Sequence, residues 1–96
     1  MPILLAATVL WCIPTYMPPP SYDGLELPPW ATIVHRPIAR IEAFGSSIGN
    51  PLMLAYTQDV PGGFLVVLPN PFDVEPQCYA AIRTHEIAHT WGWNHP

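Results

Sequence analysis

Fourteen of the 96 residues are proline, scattered from Pro2 to Pro96. Proline fixes φ near −65° and lacks a backbone N–H, so it breaks helix interiors and is confined to edges and bends of sheets. The spacing therefore predicts no helix before the last quarter of the chain. Pro18, Pro19 and Pro20, then Pro28 and Pro29, bracket a loop containing Ser21, Asp23 and Gly24 that runs extended over the surface. Thr32 to Phe44 has the β-branched content of a strand, and Pro37 inside it argues for an edge. Leu52 to Gln58 and Phe64 to Leu68 are apolar runs joined by Asp59-Val60-Pro61-Gly62-Gly63. Pro61 and Gly62 suit the centre of a type II turn, which predicts a hairpin.

After Pro69 and Pro71 the pattern changes. Asp73 is the expected N-cap of a helix running through Glu75 to about Trp91. At 100° per residue, Cys78, Ala81 and Ile82 share a face with His85 and His89, while Ala80, Ile87 and Trp91 fall opposite. Apolar residues on both sides imply a helix packed on a sheet and covered by other chain. The expected class is α+β: one domain over 1–96, with a small, mostly antiparallel sheet on one long C-terminal helix.

Half the residues are hydrophobic and 10% are charged, which fits a globular chain with a modest core. Three arginines and no lysine against seven acids give a net charge of −4 with no basic stripe, so nucleic acid is not an expected partner. Ile3 to Ile13 is apolar throughout, but no Lys or Arg precedes it, no small-residue cleavage site follows, and Pro14 ends it short of the roughly 20 residues that span a bilayer. A buried core strand is the expectation, with no membrane span and a soluble, cytoplasmic setting favoured over secretion. Cys12 and Cys78 either pair or stay free, and Cys78, two helical turns before His85, reads as a buried apolar residue.

The chemistry concentrates in His85-Glu86-Ile87-Ala88-His89-Thr90-Trp91-Gly92-Trp93-Asn94-His95. Residues four apart on a helix share a face, so His85 and His89 can aim both imidazoles at one ion, with Glu86 beside it. A continuing helix could not return His95 to that ion. Gly92 supplies the required turn, because without a Cβ it enters left-handed backbone conformations cheaply. With four His, four Glu and six Gly in 96 residues, this arrangement arises by chance with probability on the order of 10⁻⁵. Cys12 is weighed as a fourth ligand that would close the site. Trp91 and Trp93 are expected mainly as packing around the turn, with an aromatic pocket wall as the alternative. His35 has no partner at metal spacing, and Arg83 is given no role.

These eleven residues match H-E-x-x-H-x-x-G-x-x-H and so resemble the metzincin zinc peptidases. The resemblance implies a zincin-like fold with Zn²⁺ held by His85, His89 and His95. It also implies peptide-bond hydrolysis by a zinc-bound water, Glu86 as general base, and a peptide or protein substrate lying along an edge strand above the metal helix. Metzincins place a methionine turn after the third histidine. Met1, Met17 and Met53 all precede it here, which implies a minimal or truncated form lacking that turn, and Pro96 stands where several metzincin families have an acid. Tyr56 and Tyr79 are oxyanion-donor candidates by side-chain type alone. The competing expectation is a zinc-stabilised binding or assembly module without catalysis.

Overall fold

The structure, a computed structural model, describes residues 14–96. The expectations for Ile3 to Ile13 and for Cys12 fall outside the described residues. The elements are β1 (Ala31–Arg36), α1 (Ile38–Ser47), β2 (Tyr56–Val60), β3 (Gly63–Pro69) and α2 (Pro76–Thr90), with single 3₁₀ turns at Pro20–Tyr22 and Pro71–Asp73. This is a small α+β fold, with α2 packed on a three-stranded sheet of order β1-β3-β2.

The hairpin forms as expected. Val60 pairs with Gly63 across Pro61 and Gly62, and Gly62 has φ +86°, the value a type II turn demands at its third position. The strand before the turn starts at Tyr56 rather than Leu52, leaving 52–55 as irregular chain. β3 is the central strand, and Val66, Val67 and Leu68 are all buried, the continuous apolar run of a strand covered on both faces. Val66 and Leu68 meet Ile82 of α2 in the core, against which Leu27, Ile33 and Leu54 pack.

The sheet is mixed: β2 is antiparallel to β3, but β1 is parallel to it, from Ala31↔Phe64 to Arg36↔Pro69. Parallel neighbours need a crossover, and α1 lies within it. The expectation of no early helix is thus overturned, and the strand predicted over Thr32 to Phe44 stops at Arg36. Pro37 does not sit inside a strand; it is the N-cap residue of α1, where its missing N–H costs nothing and its φ of −54° is compatible with helix entry. Ile38, Ile41 and Gly45 then turn inward at helical spacing. β1 is nevertheless an edge strand, as Pro37 implied.

Asp73 is reassigned as well. α2 begins at Pro76 with Glu75 as N-cap and no side-chain cap. Asp73 Oδ2 instead accepts the Ile38 N–H at 3.0 Å, so it caps α1 from 35 residues away and ties the end of β3 to the start of the crossover. On α2, Cys78, Ile82, Ile87 and Ala88 are buried, whereas Ala80 and Trp91, expected inside, are exposed. Cys78 is buried, as expected, and it is disulfide-bonded, the paired one of the two states left open for the cysteines. No helix among the described residues is long and apolar enough to cross a membrane.

Candidate metal centre

His85 and His89 lie one turn apart near the C-terminal end of α2, and their Nε2 atoms are 3.1 Å apart. The helix then stops in a Schellman arrangement: the Gly92 N–H donates to His89 O at 3.1 Å and the Trp93 N–H to Ala88 O at 3.1 Å, with Gly92 at φ +96°. This reversal returns the chain across the helix end and brings His95 Nε2 to 3.1 Å from His85 Nε2. The ligand atoms of His85, His89 and His95 all lie within 4.8 Å of one another, so the three-histidine group predicted from spacing can hold a metal ion.

The hydrogen bonds behind the rings favour a cation there. His85 Nδ1 is 2.7 Å from Tyr16 O, and His89 Nδ1 is 2.7 Å from Trp93 O. A carbonyl only accepts, so both Nδ1 atoms carry the hydrogen and a neutral ring then presents a bare lone pair at Nε2. Two such lone pairs at 3.1 Å repel unless a positive charge sits between them. Backbone carbonyls behind the rings are also the support that metal-ligating imidazoles ordinarily have. Zinc–nitrogen bonds of about 2.05 Å at tetrahedral angles separate ligand nitrogens by about 3.3 Å, close to the spacing seen.

Burial favours the neutral form of two of the rings, His85 and His89. Burial lowers His85 to about 4 against the pull of its Tyr16 hydrogen bond, and the neighbouring His89 and His95 push it the same way as burial. His89 is lowered too, first by burial. Unprotonated imidazole is the form that ligates.

Glu86 is buried beside the cluster, with Oε2 3.9 Å from His85 Nε2. With His85 neutral, that contact is not an ion pair at pH 7. Thr57 of β2 donates its hydroxyl to Glu86 Oε1 at 2.8 Å, which orients the carboxylate. Burial raises Glu86 to about 7, partly opposed by the Thr57 hydrogen bond. A cation held by the adjacent imidazoles would lower it again.

Sequence reasoning missed Thr57 and Tyr16. Tyr16 contributes its carbonyl to His85 and stacks its ring on His95, centroids 5.1 Å apart and planes 8° apart. Neither residue carries a local signal, since they reach the site from 29 and 69 positions away. The tryptophans split. Trp93 stands edge-on to His85 and stacks beside His89, whereas Trp91 donates Nε1–H to Glu26 O and meets Trp30 edge-on. Tyr79 is not placed as an oxyanion donor, because its hydroxyl pairs with His35 Nε2 at 2.7 Å, which also gives His35 the partner not foreseen. Tyr56 does line the cleft. Arg83 is exposed.

That cleft, about 750 Å³, is lined by the three histidines and Glu86, by residues 14–16, and by Leu52, Met53 and Tyr56 among others. The strand edge beside it is β2, not the β1 edge anticipated from Pro37. Comparison with family models, with curated proteins and with solved structures found no match.

Proposed function

We propose that this protein is a zinc-dependent hydrolase of peptide bonds with a metzincin-like site, His85, His89 and His95 serving as ligands and Glu86 as general base. The observation that carries the reading is the combination of three converging Nε2 atoms with a buried carboxylate whose Oε2 lies 3.9 Å from His85 Nε2. A divalent ion there supplies a Lewis acid for the scissile carbonyl and makes a water more acidic, and three protein ligands leave room for both roles. Glu86 accepts the proton of the attacking water on Oε2 while Thr57 holds Oε1, then delivers that proton to the departing amine.

The strand edge supports a peptide as substrate. The Phe64 N–H bonds to Trp30 O, so at the pair Asp59↔Phe64 the central strand turns its polar groups toward β1. Asp59, and by alternation Thr57, therefore direct backbone N–H and C=O away from β3 to an edge that no other strand among the described residues pairs with, beside the cleft, where an extended chain can add as a strand.

The zinc-stabilised module without catalysis is the competing reading. The two are separated by comparing the parent and Glu86→Gln, both loaded with zinc, on a peptide library read by mass spectrometry. Cleavage by the parent that is lost in the variant, with zinc retained in both, supports the hydrolase. Equal inactivity overturns it.

A further inference from the structure

We infer that Asp59 selects the substrate of this cleft by accepting a cationic group, an ammonium or guanidinium, carried on an extended peptide one strand repeat from the reacting bond. This rests on the hydrolase reading above. Asp59 lines the cleft, is exposed, and lies two residues beyond Thr57 on β2, hence on the same face as the hydroxyl that holds Glu86. The two positions are about 6.6 Å apart along the strand, the repeat at which side chains of an added strand recur on one face. No arginine lines the cleft, the sequence has no lysine, and among the described residues Asp59 has no ion pair. Asp59 is thus a carboxylate with no cation of its own beside a track for an extended chain.

With a divalent ion on the three imidazoles, the cleft would carry positive charge at the histidines and negative charge at Asp59. A substrate that develops negative charge at its carbonyl and carries a positive group one repeat away complements both. An acidic residue at that position faces the Asp59 carboxylate instead.

The test uses the zinc-loaded full chain and N-acetylated peptides that differ at one position, carrying Lys, Arg, Ala or Glu, with rates expressed as kcat/KM ratios. One position should favour Lys and Arg over Ala by about fivefold, the upper end for an exposed ion pair, and disfavour Glu. The preference should shrink toward unity in 0.5 M salt. Asp59→Asn should abolish the ratio and Asp59→Lys should invert it in favour of Glu. A second arm uses peptides with a free N-terminus and no basic side chain: preference for these over their acetylated forms, lost in Asp59→Asn, assigns the cation to the α-amine. A charge preference unchanged in Asp59→Asn, or no preference in either arm, overturns the role of Asp59 while leaving the hydrolase intact. If no peptide is cleaved, the hydrolase reading fails separately, and fluorescence anisotropy of the same peptides on zinc-loaded Glu86→Gln then decides. Tighter binding of the basic peptide that Asp59→Asn removes upholds the selection, and equal affinities overturn it.

Discussion

Glu86→Gln offers a test of the site that needs no substrate. In the metal-free chain, burial holds Glu86 at about 7, above the value of 4.5 it has when exposed. The folded state therefore binds more protons than the unfolded chain between pH 4.5 and 7, so this group makes stability fall as pH rises through that window. Below pH 4.5 both states are protonated and the penalty vanishes; above pH 7 it is complete. Raising Glu86 from 4.5 to about 7 corresponds to about 3 kcal/mol at about 1.36 kcal/mol per pH unit, an upper bound because relaxation and water entry reduce it. Glutamine keeps the shape and can still accept from Thr57 through its amide oxygen, but it has no charge to desolvate. Urea denaturation in a chelator should then show Glu86→Gln more stable than the parent by about 1–3 kcal/mol at pH 8 and equal to it at pH 4.5. His85 titrates in the opposite sense, being depressed to about 4, but is common to both proteins and cancels. Saturating zinc should shrink the pH 8 difference, since the cation compensates the buried carboxylate. A variant no more stable than the parent at pH 8 would refute the burial of Glu86 as a charge.

Thr57→Val should cost about 1–3 kcal/mol at pH 8 by leaving Glu86 Oε1 without its donor, while Thr57→Ser keeps the hydroxyl and most of the stability; denaturation curves check both. Gly92→Ala, at φ +96°, should lose about 1 kcal/mol of stability and weaken zinc, read by competition with a chromophoric chelator, because the Schellman turn aims His95. Tyr16→Ala should change the visible spectrum of the Co²⁺-loaded protein by releasing the His95 ring, whereas Tyr16→Phe should preserve it. Asp73→Ala should destabilise the fold by about 1 kcal/mol through α1, not α2, seen as faster amide exchange at the start of α1.

What was legible from the sequence is local. The three histidines, the turn at Gly92 and the hairpin at Pro61-Gly62 follow from spacing and from what each residue's backbone permits. What escaped depends on long-range pairing. Proline's strand rule and its helix N-terminal rule apply equally well to Pro37, and only the crossover between β1 and β3 selects the second. Asp73 matches the nearest helix because capping is ordinarily a neighbour's task, whereas its acceptor oxygen serves Ile38. Thr57 and Tyr16 resemble any strand threonine and loop tyrosine until the fold brings them to Glu86 and His85.

The Tyr16 carbonyl and ring join the three-histidine cluster to chain that lies outside both the helix and the sheet. The imidazoles converge only once the chain has reversed at Gly92, so the contacts at the cluster belong to the completed fold. An ion bound there would act as a brake on unfolding: loading the protein should slow the unfolding limb of its chevron more than it speeds the refolding limb, so that the lifetime of the fold would answer to metal supply.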